Sequence, residues 1–341
     1  MALYTLNSEI TIDDLQFRGV HEVRIERGIH GYEHKAFINV PHIAHIMKGK
    51  RAVPAKKPIG DLFKDGARVS IKLGYDKDLR TEFEGFVVRR NAGMPTEIEC
   101  EGYCRQLREQ KVTAKLSKGM TVKELLELAC KGTDVAVECK VDLTLYGKTL
   151  TDHTGLQILD EIKKSSDGAL NIFFIEPRKL WCGLLYTPFL AGTDVFSLPT
   201  VKYRLGWNCL KENDLRERVP NEPVQIYFNG TLVNGDTVRV TSDDDKAKRK
   251  EKASFHGIKQ EKMITSFVNE KAKKMNYTGY EGSFTSFLQP FALPGYTAMV
   301  KDGSYPARDG KYMIESTVVT FGVNGARRHI ELGAKMGGAN G

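Results

Sequence analysis

Hydrophobic and polar residues alternate along much of this chain with the two-residue period of a β-strand. In an early segment, Val23 and Ile25 alternate with Arg24 and Glu26. This pattern is typical of an antiparallel strand that has one face in a core and the other in water. Gly, Pro or Asp separates several such runs within residues 1–115, which predicts a first antiparallel β-barrel. The predicted strands are residues 15–17, 21–27, 36–40, 68–73, 81–90 and 96–103.

Residues 116–206 follow a different pattern, because hydrophobic residues recur there at the spacing of helices. Thr121 and Glu124 form the Thr-x-x-Glu capping box that begins a helix, and Thr154 with Gln157 repeats the device. Two short hydrophobic runs follow the second helix, as expected of buried strands. The order of these elements predicts a small α/β insert domain. Its two strands are residues 170–175 and 180–186.

The strand pattern returns in residues 207–334, where Asp-Gly and Asn-Gly pairs lie between short β-branched and aromatic runs. Asn229 and Gly230 are one such pair and predict a turn, and residues 237–241 are predicted to be a strand. Such pairs provide the positive φ angles that tight hairpin turns need. Asn324 and Gly325 join two strands, residues 316–321 and 327–332, that we expect to pair directly. These features predict a second antiparallel β-barrel, so that the chain as a whole is mainly β with an α/β insert.

One amphipathic helix, residues 260–275, interrupts the second β region, and residues 335–341 are predicted to be a short flexible tail. One side of the helix carries lysines and glutamates, and the other is hydrophobic and suited to a core. The hydrophobic face comprises Met263, Ile264, Phe267, Val268 and Met275.

The composition is that of a folded protein with a basic surface. Hydrophobic residues make up 41% of the 341 residues, and no run approaches the ~20 apolar residues that span a bilayer. The N-terminus lacks the basic and apolar regions of a signal peptide, so we expect assembly in the cytoplasm of the producing cell. The net charge of +8 favours acidic partners or nucleic acid. The six cysteines have no metal-site or disulfide spacing, which predicts buried free thiols.

The sequence contains no motif for catalysis or for cofactor binding. Nucleophile elbows, phosphate-binding loops and dinucleotide fingerprints are absent from it. His30, His34, His42 and His45 lie close together, but no Cys or acidic ligands at a matching spacing accompany them. We therefore predict no catalytic residue, no metal site, no cofactor and no enzymatic activity.

Two basic runs are the candidate interaction residues. One interpretation is that they form two solvated loops whose charges keep the protein soluble. The other is that they lie at subunit contacts or along a channel, where lysine and arginine would contact an acidic partner or, without sequence preference, the phosphates of nucleic acid. No aromatic residues are interleaved with them, which argues against a platform for stacking single-stranded bases. The residues are Lys48, Lys50, Arg51, Lys56 and Lys57 in the first β region, and Lys246, Lys248, Arg249 and Lys250 in the second.

A succession of short motifs near the C-terminus resembles the closing barrel of tail and baseplate hub proteins of contractile injection machines. This family includes phage baseplate hubs, tail proteins of the late-control D type and the hub part of the type VI secretion spike. The layout of strands and insert extends the resemblance to most of the chain. The motifs are residues 282–285 (GSFT), 293–295 (LPG), 309–316 (DGKYMIES) and 325–333 (GARRHIELG).

The resemblance implies two tube-type barrels in each chain, with the insert at the periphery and the helix at residues 260–275 across the outside of the second barrel. It also implies a ring of three chains whose six barrels match a sixfold tail tube on one side and a threefold spike or tail tip on the other. The expected partners are therefore two further copies of this chain, the tube protein, the spike protein and other baseplate proteins. DNA in transit would make non-specific contacts only. The expected location is a virion tail or baseplate.

Two departures from the family pattern favour a phage hub over a complete secretion spike, because neither Val-Gly repeats nor a lysozyme-like insert is present. Two other classes of function stay open. A module that binds carbohydrate or peptidoglycan would need exposed aromatic residues on one face, and Trp181 and Trp207 are the only tryptophans. A hydrolase would need a converging pair of carboxylates, which the sequence alone cannot locate.

Overall fold

The computed structural model of this chain describes residues 5–17, 20–41, 45–48, 51–54, 62–91, 93–187, 199–220, 222–243 and 247–336, with the backbone alone at residues 17, 45–48 and 52–54. Strands dominate these residues, and a few helices lie in the middle of the chain and at residues 261–276. The prediction of a mainly β fold with an α/β insert is therefore confirmed.

The first β region forms a continuous run of antiparallel strands. Their order is β3-β4-β9-β8-β7-β1-β2-β5-β6, where β1 is Leu6–Ile12, β2 Leu15–Phe17, β3 Glu22–Gly28, β4 Lys35–Val40, β5 His45–Lys48, β6 Arg51–Pro54, β7 Arg68–Tyr75, β8 Asp78–Asn91 and β9 Thr96–Glu101. Alternate residues point inward, and Ile10, Ile25, Ile38, Ile71 and Ile98 meet in one core. The period-two pattern of the sequence is thus the pattern of burial.

The middle of the chain contains three helices and several short strands, and the predicted capping boxes begin two of the helices. The hydroxyl oxygen of Thr121 accepts from the backbone N–H of Glu124, and Thr154 makes the same contact with Gln157. The elements are α1 (Cys104–Glu109), β10 (Lys111–Lys115), β11 (Met120–Thr121), α2 (Val122–Ala129), β12 (Ala136–Cys139), β13 (Thr144–Leu145), β14 (Thr149–Thr154), α3 (Gly155–Ser165), β15 (Asn171–Glu176) and β16 (Lys179–Gly183).

The last part of the chain contributes some of its elements to a second barrel and the others to the insert. Its elements are β17 (Thr200–Arg204), β18 (Cys209–Asn213), β19 (Arg216–Arg218), β20 (Val224–Thr231), β21 (Thr237–Thr241), β22 (Arg249–Lys252), α4 (Glu261–Asn276), β23 (Gly279–Ser286), β24 (Thr297–Lys301), β25 (Gly310–Gly322) and β26 (Gly325–Lys335). The strand pair predicted around Asn324 and Gly325 is β25–β26, with Gly322 opposite Gly325 across the turn.

The second barrel is formed by one run of paired strands whose two ends are joined by a turn. β25 pairs with β24, β24 with β17, β23 with both β18 and β26, and β26 with β25. A tight turn that contains a backbone bridge between Leu205 and Cys209 joins β17 to β18, which are the ends of this run. The barrel is not wholly antiparallel as predicted, because β17 and β24 run parallel. The chain between β17 and β24 includes β18, β19, the segment β20–α4 and β23, which is long enough for the crossover that a parallel pair requires.

Strands β20–β22 and helix α4 do not belong to the second barrel, although the sequence placed them there. β20 lies between β21 and β22, and Ile226 on β20 shares a core with Ile264 and Phe267 of α4. The same core contains Leu126 of α2 and Ile158 of α3. The insert is therefore built from two separate stretches of chain. The prediction that α4 lies across the outside of the second barrel is wrong, because its hydrophobic face is covered by β20, β21 and the insert.

Strand β25 joins the two β regions. Its second half pairs with β3 of the first region, with Val319 opposite Ile25, while its whole length pairs with β26. Val319 belongs to the core of the first region, and Tyr312 and Ile314 belong to the core of the second barrel. One half of β25 thus contributes to each core. Because β25 also pairs with β3, the two β regions form a single continuous sheet.

Two further expectations concern membranes and cysteines. In the part of the chain that the structure describes, every helix is too short or too polar to cross a bilayer. All six cysteines are free, and five of them are buried, which confirms the prediction of buried thiols. Cys139 is the partly exposed one, and it lies opposite Cys182 in the parallel pair β12–β16.

Candidate functional site at the junction of the two β regions

The basic residues predicted to make contacts fall in three structural settings. Lys50, Lys56, Lys57 and Lys246 lie outside the described residues. Lys48 and Arg51 face each other at the turn end of the β5–β6 hairpin. Lys248 is exposed, and Arg249 and Lys250 are in β22 rather than in a loop.

Strand β22 places its lysines on the outer face of a three-stranded sheet. It pairs in parallel with β20, so that Lys250 lies beside Gln225 and Lys252 beside Tyr227. The neighbouring residue Arg249 contacts Glu251 at 3.7 Å. The two basic runs thus belong to different sheets, and their contact with a channel or a subunit stays a prediction.

The four histidines named in the sequence do not form a site in the described residues. His30 Nε2 lies 3.0 Å from a carboxylate oxygen of Glu315. His34 is buried, and this burial, together with the charge of Arg27, lowers its pKa to about 3. The side chains of His42 and His45 are outside the description. No three His, Cys, Asp or Glu side chains among the described residues are arranged to hold a metal ion.

The most unusual chemical feature of the fold is a cluster of buried charges where the first β region meets the second barrel. It begins with a β-bulge in β8. Ile71 pairs with Phe83 and Lys72 pairs with Thr81, which leaves Glu82 as an extra residue in the strand. A bulge re-aims the side chain at the extra position. Glu82 accordingly points inward beside Phe83, and each is only 1% exposed.

Arg328 of β26 meets the Glu82 carboxylate through two parallel contacts. Its Nη2 donates to Oε1 at 2.7 Å and its Nη1 to Oε2 at 3.3 Å. The same two nitrogens donate to the backbone carbonyls of Ala292 and Leu288 at 3.0 and 3.3 Å. A guanidinium matches a carboxylate in this bidentate geometry, which adds directional specificity to charge attraction. The pair joins β8 of the first region to β26 of the second.

Arg27 of β3 places a second guanidinium against the same carboxylate. Its Nη1 lies 4.0 Å from Glu82 Oε2, and its side chain is 4% exposed. Burial lowers the pKa of Arg27 to about 10, while Glu82 raises it and Arg328 lowers it. Arg27 therefore stays charged at neutral pH. The cluster thus combines two guanidinium groups with one carboxylate, and all three side chains are almost inaccessible to solvent.

Such a cluster specifies geometry more than it adds stability. Taking ions out of water costs several kcal/mol each, and their attraction offsets this cost only when the geometry is good. Removing one partner is expensive, because the others are then buried without compensation. Glu82, Arg27 and Arg328 thus disfavour any packing of the two β regions that separates them.

A second buried carboxylate fixes the chain where it leaves the insert. Glu270 of α4 is 2% exposed and accepts from the backbone N–H groups of Leu185, Tyr186 and Thr187 at 2.7–3.1 Å. It also accepts from the Thr187 hydroxyl at 2.6 Å and from Asn171 at 3.3 Å. Burial nevertheless raises the pKa of Glu270. The contacts bind residues 185–187, the last described residues of the first stretch of the insert, to α4.

A cleft of 610 Å³ opens on the second barrel near α4. Its walls carry both signs of charge, and Arg218 donates to Glu281 at 2.8 Å within it. This mixture of paired charges forms no arrangement of nucleophile, base and stabilising donors. The other charged side chains in its wall are Asp214, Arg216, Lys274, Glu315 and Glu331.

The buried cluster was not predicted from the sequence, although the sequence contains a signal for it. In β3, Val23, Ile25 and Arg27 fall on the same alternate positions, so the inward face ends in an arginine. In β26, Arg328 occupies an inward position between Ala326 and Ile330. Where buried and exposed residues alternate regularly along a strand, a charged residue at a buried position predicts a buried ion pair. No sequence pattern indicated the bulge that supplies Glu82.

With this geometry established, comparisons with known proteins show where else the fold occurs. No family model and no curated protein sequence matches the chain. The tail protein from Neisseria meningitidis MC58 is similar in structure, with a TM-score of 0.62 at 15% identity over 97% of each chain. The 43 kDa tail protein of prophage MuSo2 from Shewanella oneidensis has a TM-score of 0.59 at 12% identity, over 96% of this chain and 98% of that one.

A component of a bacterial secretion system has the fold as well. The E. coli c3393 protein of the type VI secretion system has a TM-score of 0.52 at 9% identity, over 97% of this chain and 76% of that one. Phage tail proteins and a type VI secretion protein thus share the fold of this chain along nearly all of its length. The resemblance drawn from the C-terminal motifs is confirmed for the fold.

Proposed function

We propose that this chain is a structural hub protein of a phage or phage-like tail. The observation that carries the proposal is the end-to-end match of its fold with tail proteins, which includes both β regions and the insert. The proposed location is the virion tail or baseplate. The protein would have a structural role there, and no catalytic role is proposed.

The proposed domain organisation has two tube-type barrels around a composite insert. The first barrel comprises residues 1–103, and β25 and β26 complete its core through Val319, Phe321 and Ala326. The second barrel comprises residues 199–218 and 279–335. The insert comprises residues 104–187 and 224–276. This division keeps the predicted two barrels and moves β20–β22 and α4 to the insert.

Two barrels in each chain offer a solution to a symmetry mismatch. Three copies of this chain would form a ring of six similar barrels, which matches a sixfold tube on one face and a threefold spike or tail tip on the other. Such quasi-equivalence requires that the two barrels of a chain keep a fixed orientation. Support for this comes from the shared strand β25 and from the buried cluster of Glu82, Arg27 and Arg328, which resist relative movement of the barrels.

The basic residues would then act at the surfaces of this ring. Lys250 and Lys252 on the outer face of β22 would contact an acidic partner among the other baseplate proteins. The residues around Lys48 and Arg51, at the turn end of a hairpin, would contact a neighbouring copy or line the channel through which DNA passes. Contacts with phosphates would be independent of sequence and sensitive to salt.

The rival hypothesis of a carbohydrate-binding module loses its main support in the structure. Such a module needs several aromatic rings exposed on one face, but Trp181 is fully buried, and the large aromatic side chains exposed among the described residues are Trp207 and Tyr305 alone. Trp181 packs against Phe173 with a ring separation of 5.1 Å, in a core that the insert shares with Met313 and Ala334 of the second barrel. We therefore propose no second function.

The mass of the purified protein in solution tests the proposal. We expect sedimentation and light scattering to detect a particle of three 38.2 kDa chains, either for the protein alone or after tube and spike proteins are added. Measurements at low and high salt would show whether charged contacts hold the particle together. A variant in which Lys250 and Lys252 are changed to glutamate should still form the ring but lose an acidic partner. A monomer that ignores tube and spike proteins at every salt concentration would refute the proposal.

A further inference from the structure

The buried cluster contains more hydrogen-bond donors than the described residues can satisfy. Four donor atoms have no hydrogen-bond partner among those residues: both terminal nitrogens of Arg27, the Nε of Arg328 and the hydroxyl of Thr317. All three residues are almost inaccessible, with exposures of 6%, 0% and 1%. Buried polar groups are nearly always hydrogen-bonded, so each such exception requires an explanation.

These donors lie on one face of three adjacent strands. Thr317 of β25 is directly opposite Arg27 of β3, so their Cβ atoms are about 5 Å apart. Arg328 of β26 is opposite Val319, two residues from Thr317 and on the same inward face. Arg27 and Arg328 also approach the same oxygen of Glu82, at 4.0 and 3.3 Å. The unpartnered donors therefore surround a single region of the junction.

The region also carries an uncompensated positive charge. Two guanidinium groups face one carboxylate, and the bidentate contact with Arg328 occupies both oxygens of Glu82. The other titratable groups near Arg27 do not add a negative charge, because His34 is neutral and burial raises the pKa of Tyr296. A water molecule would accept from Arg27, but it would bring two donors of its own and leave the charge uncompensated.

We propose that the junction binds one small monovalent anion, of which chloride is the probe, between the guanidinium of Arg27 and the hydroxyl of Thr317. The anion accepts hydrogen bonds from groups that have none and makes the cluster electrically neutral. It thereby links β3 to β25 at the place where the two β regions meet. This site is independent of the proposed ring, because all of its groups come from one chain.

Thermal unfolding in chloride and in gluconate tests the site. The sodium concentration and ionic strength are held constant, so that general screening does not change. We expect the melting temperature of the wild type to rise with chloride by ~3 °C or more and then to saturate, as for a ligand that binds only the folded state. Thr317→Val removes the hydroxyl donor while the side chain keeps nearly the same volume. This variant should raise the half-saturating chloride concentration about tenfold.

Two arginines of the same strand provide a matched pair of variants. Arg27→Met removes the excess charge and should abolish the chloride response. Arg24→Met changes an exposed arginine, with 54% of its side chain accessible, and should keep the response. An equal response to chloride in all three proteins would mean a general salt effect and would overturn the proposal.

A crystallographic experiment covers the case in which Arg27→Met does not fold. Wild-type crystals grown in bromide should show an anomalous peak within about 3.5 Å of the Arg27 guanidinium and the Thr317 hydroxyl. Growth in bromide is preferable to soaking, because a buried site exchanges only through local opening. Absence of a peak at this position in fully diffracting crystals would also overturn the proposal.

Discussion

The charge of Glu82 is predicted to hold the two β regions together, and Glu82→Gln removes that charge with little change in shape. Glutamine retains one acceptor oxygen for Arg328, but Arg27 and Arg328 are then two buried cations without an anion from the protein. Removal of one partner of a buried ion pair costs about 3–5 kcal/mol. We expect a loss of this size in the free energy of unfolding, which is a factor of about 10²–10⁴ in the folding equilibrium.

Glu26→Gln is the matched control on strand β3. Glu26 pairs with Arg24 at 2.7 Å, but 39% and 54% of the two side chains are exposed. Exposed pairs contribute about 0–1 kcal/mol, so this variant should unfold like the wild type. Adding Arg27→Met to Glu82→Gln should recover part of the loss, since one of the two uncompensated charges is then absent.

Hydrogen exchange measured by mass spectrometry is the appropriate assay, because a chain with several cores does not guarantee two-state unfolding. Glu82→Gln should lower the protection of β8, β25 and β26 together, while α2 and α3 of the insert keep theirs. If Glu82→Gln and Glu26→Gln both leave protection and denaturation unchanged within 1 kcal/mol, the cluster does not hold the junction.

Three further predictions concern other parts of the fold. Glu270→Gln leaves donors of residues 185–187 unsatisfied and should cost about 2–4 kcal/mol in urea unfolding, whereas the exposed Glu261→Gln on the same helix should cost almost nothing. Burial lowers the pKa of His34 from 6.5 to about 3 in the folded state, so between these pH values the unfolded chain binds a proton that the folded chain does not. The free energy of unfolding should therefore fall by about 1.4 kcal/mol for each pH unit below 6.5. His34→Asn should remove this pH dependence between pH 4 and 6. Gly282→Ala should cost about 2 kcal/mol or more, because φ is +108° and a Cβ would lie 2.3 Å from the carbonyl oxygen of Asp214, while Gly303→Ala, with open space around it, should be neutral. For these three, equal stability of a variant and its control, or an unchanged pH slope for His34→Asn, would contradict the structure.

Local patterns of the sequence predicted most of the individual elements. Two capping boxes located the starts of α2 and α3, because the motif satisfies free N–H groups of a first helical turn by local contacts alone. Residues 237–241 read as a strand and form β21. The hairpin at Gly325 followed from turn chemistry, since φ is +99° there. Each of these features depends on residues a few positions apart.

The arrangement of elements depends on contacts that no local pattern encodes. The sequence placed Asn229 and Gly230 in a turn, but both lie within β20. It placed α4 on the second barrel, although Ile258 forms a backbone bridge with Leu145 of the insert and thereby holds the whole segment there. The hydrophobic face of α4 was correctly predicted, but its partner was not, because any sheet with an apolar face can cover such a helix.

The same limit applies to the candidate site. The inward position of Arg328 could be read from alternation in β26, but its partner Glu82 is 246 positions away and reaches the core only through a bulge. The basic runs were visible as composition, and composition does not say that half of one run forms an edge strand. Chemistry that depends on tertiary contacts therefore appeared only in the structure.

Averaged electron images of the purified particle show whether three chains, with two barrels each, imitate a sixfold ring. We expect a closed ring of three chains that shows six similar densities around a channel when viewed along its axis. Images of a particle with another number of chains, or of a ring in which the two barrels of each chain vary in orientation, would disprove the proposed arrangement.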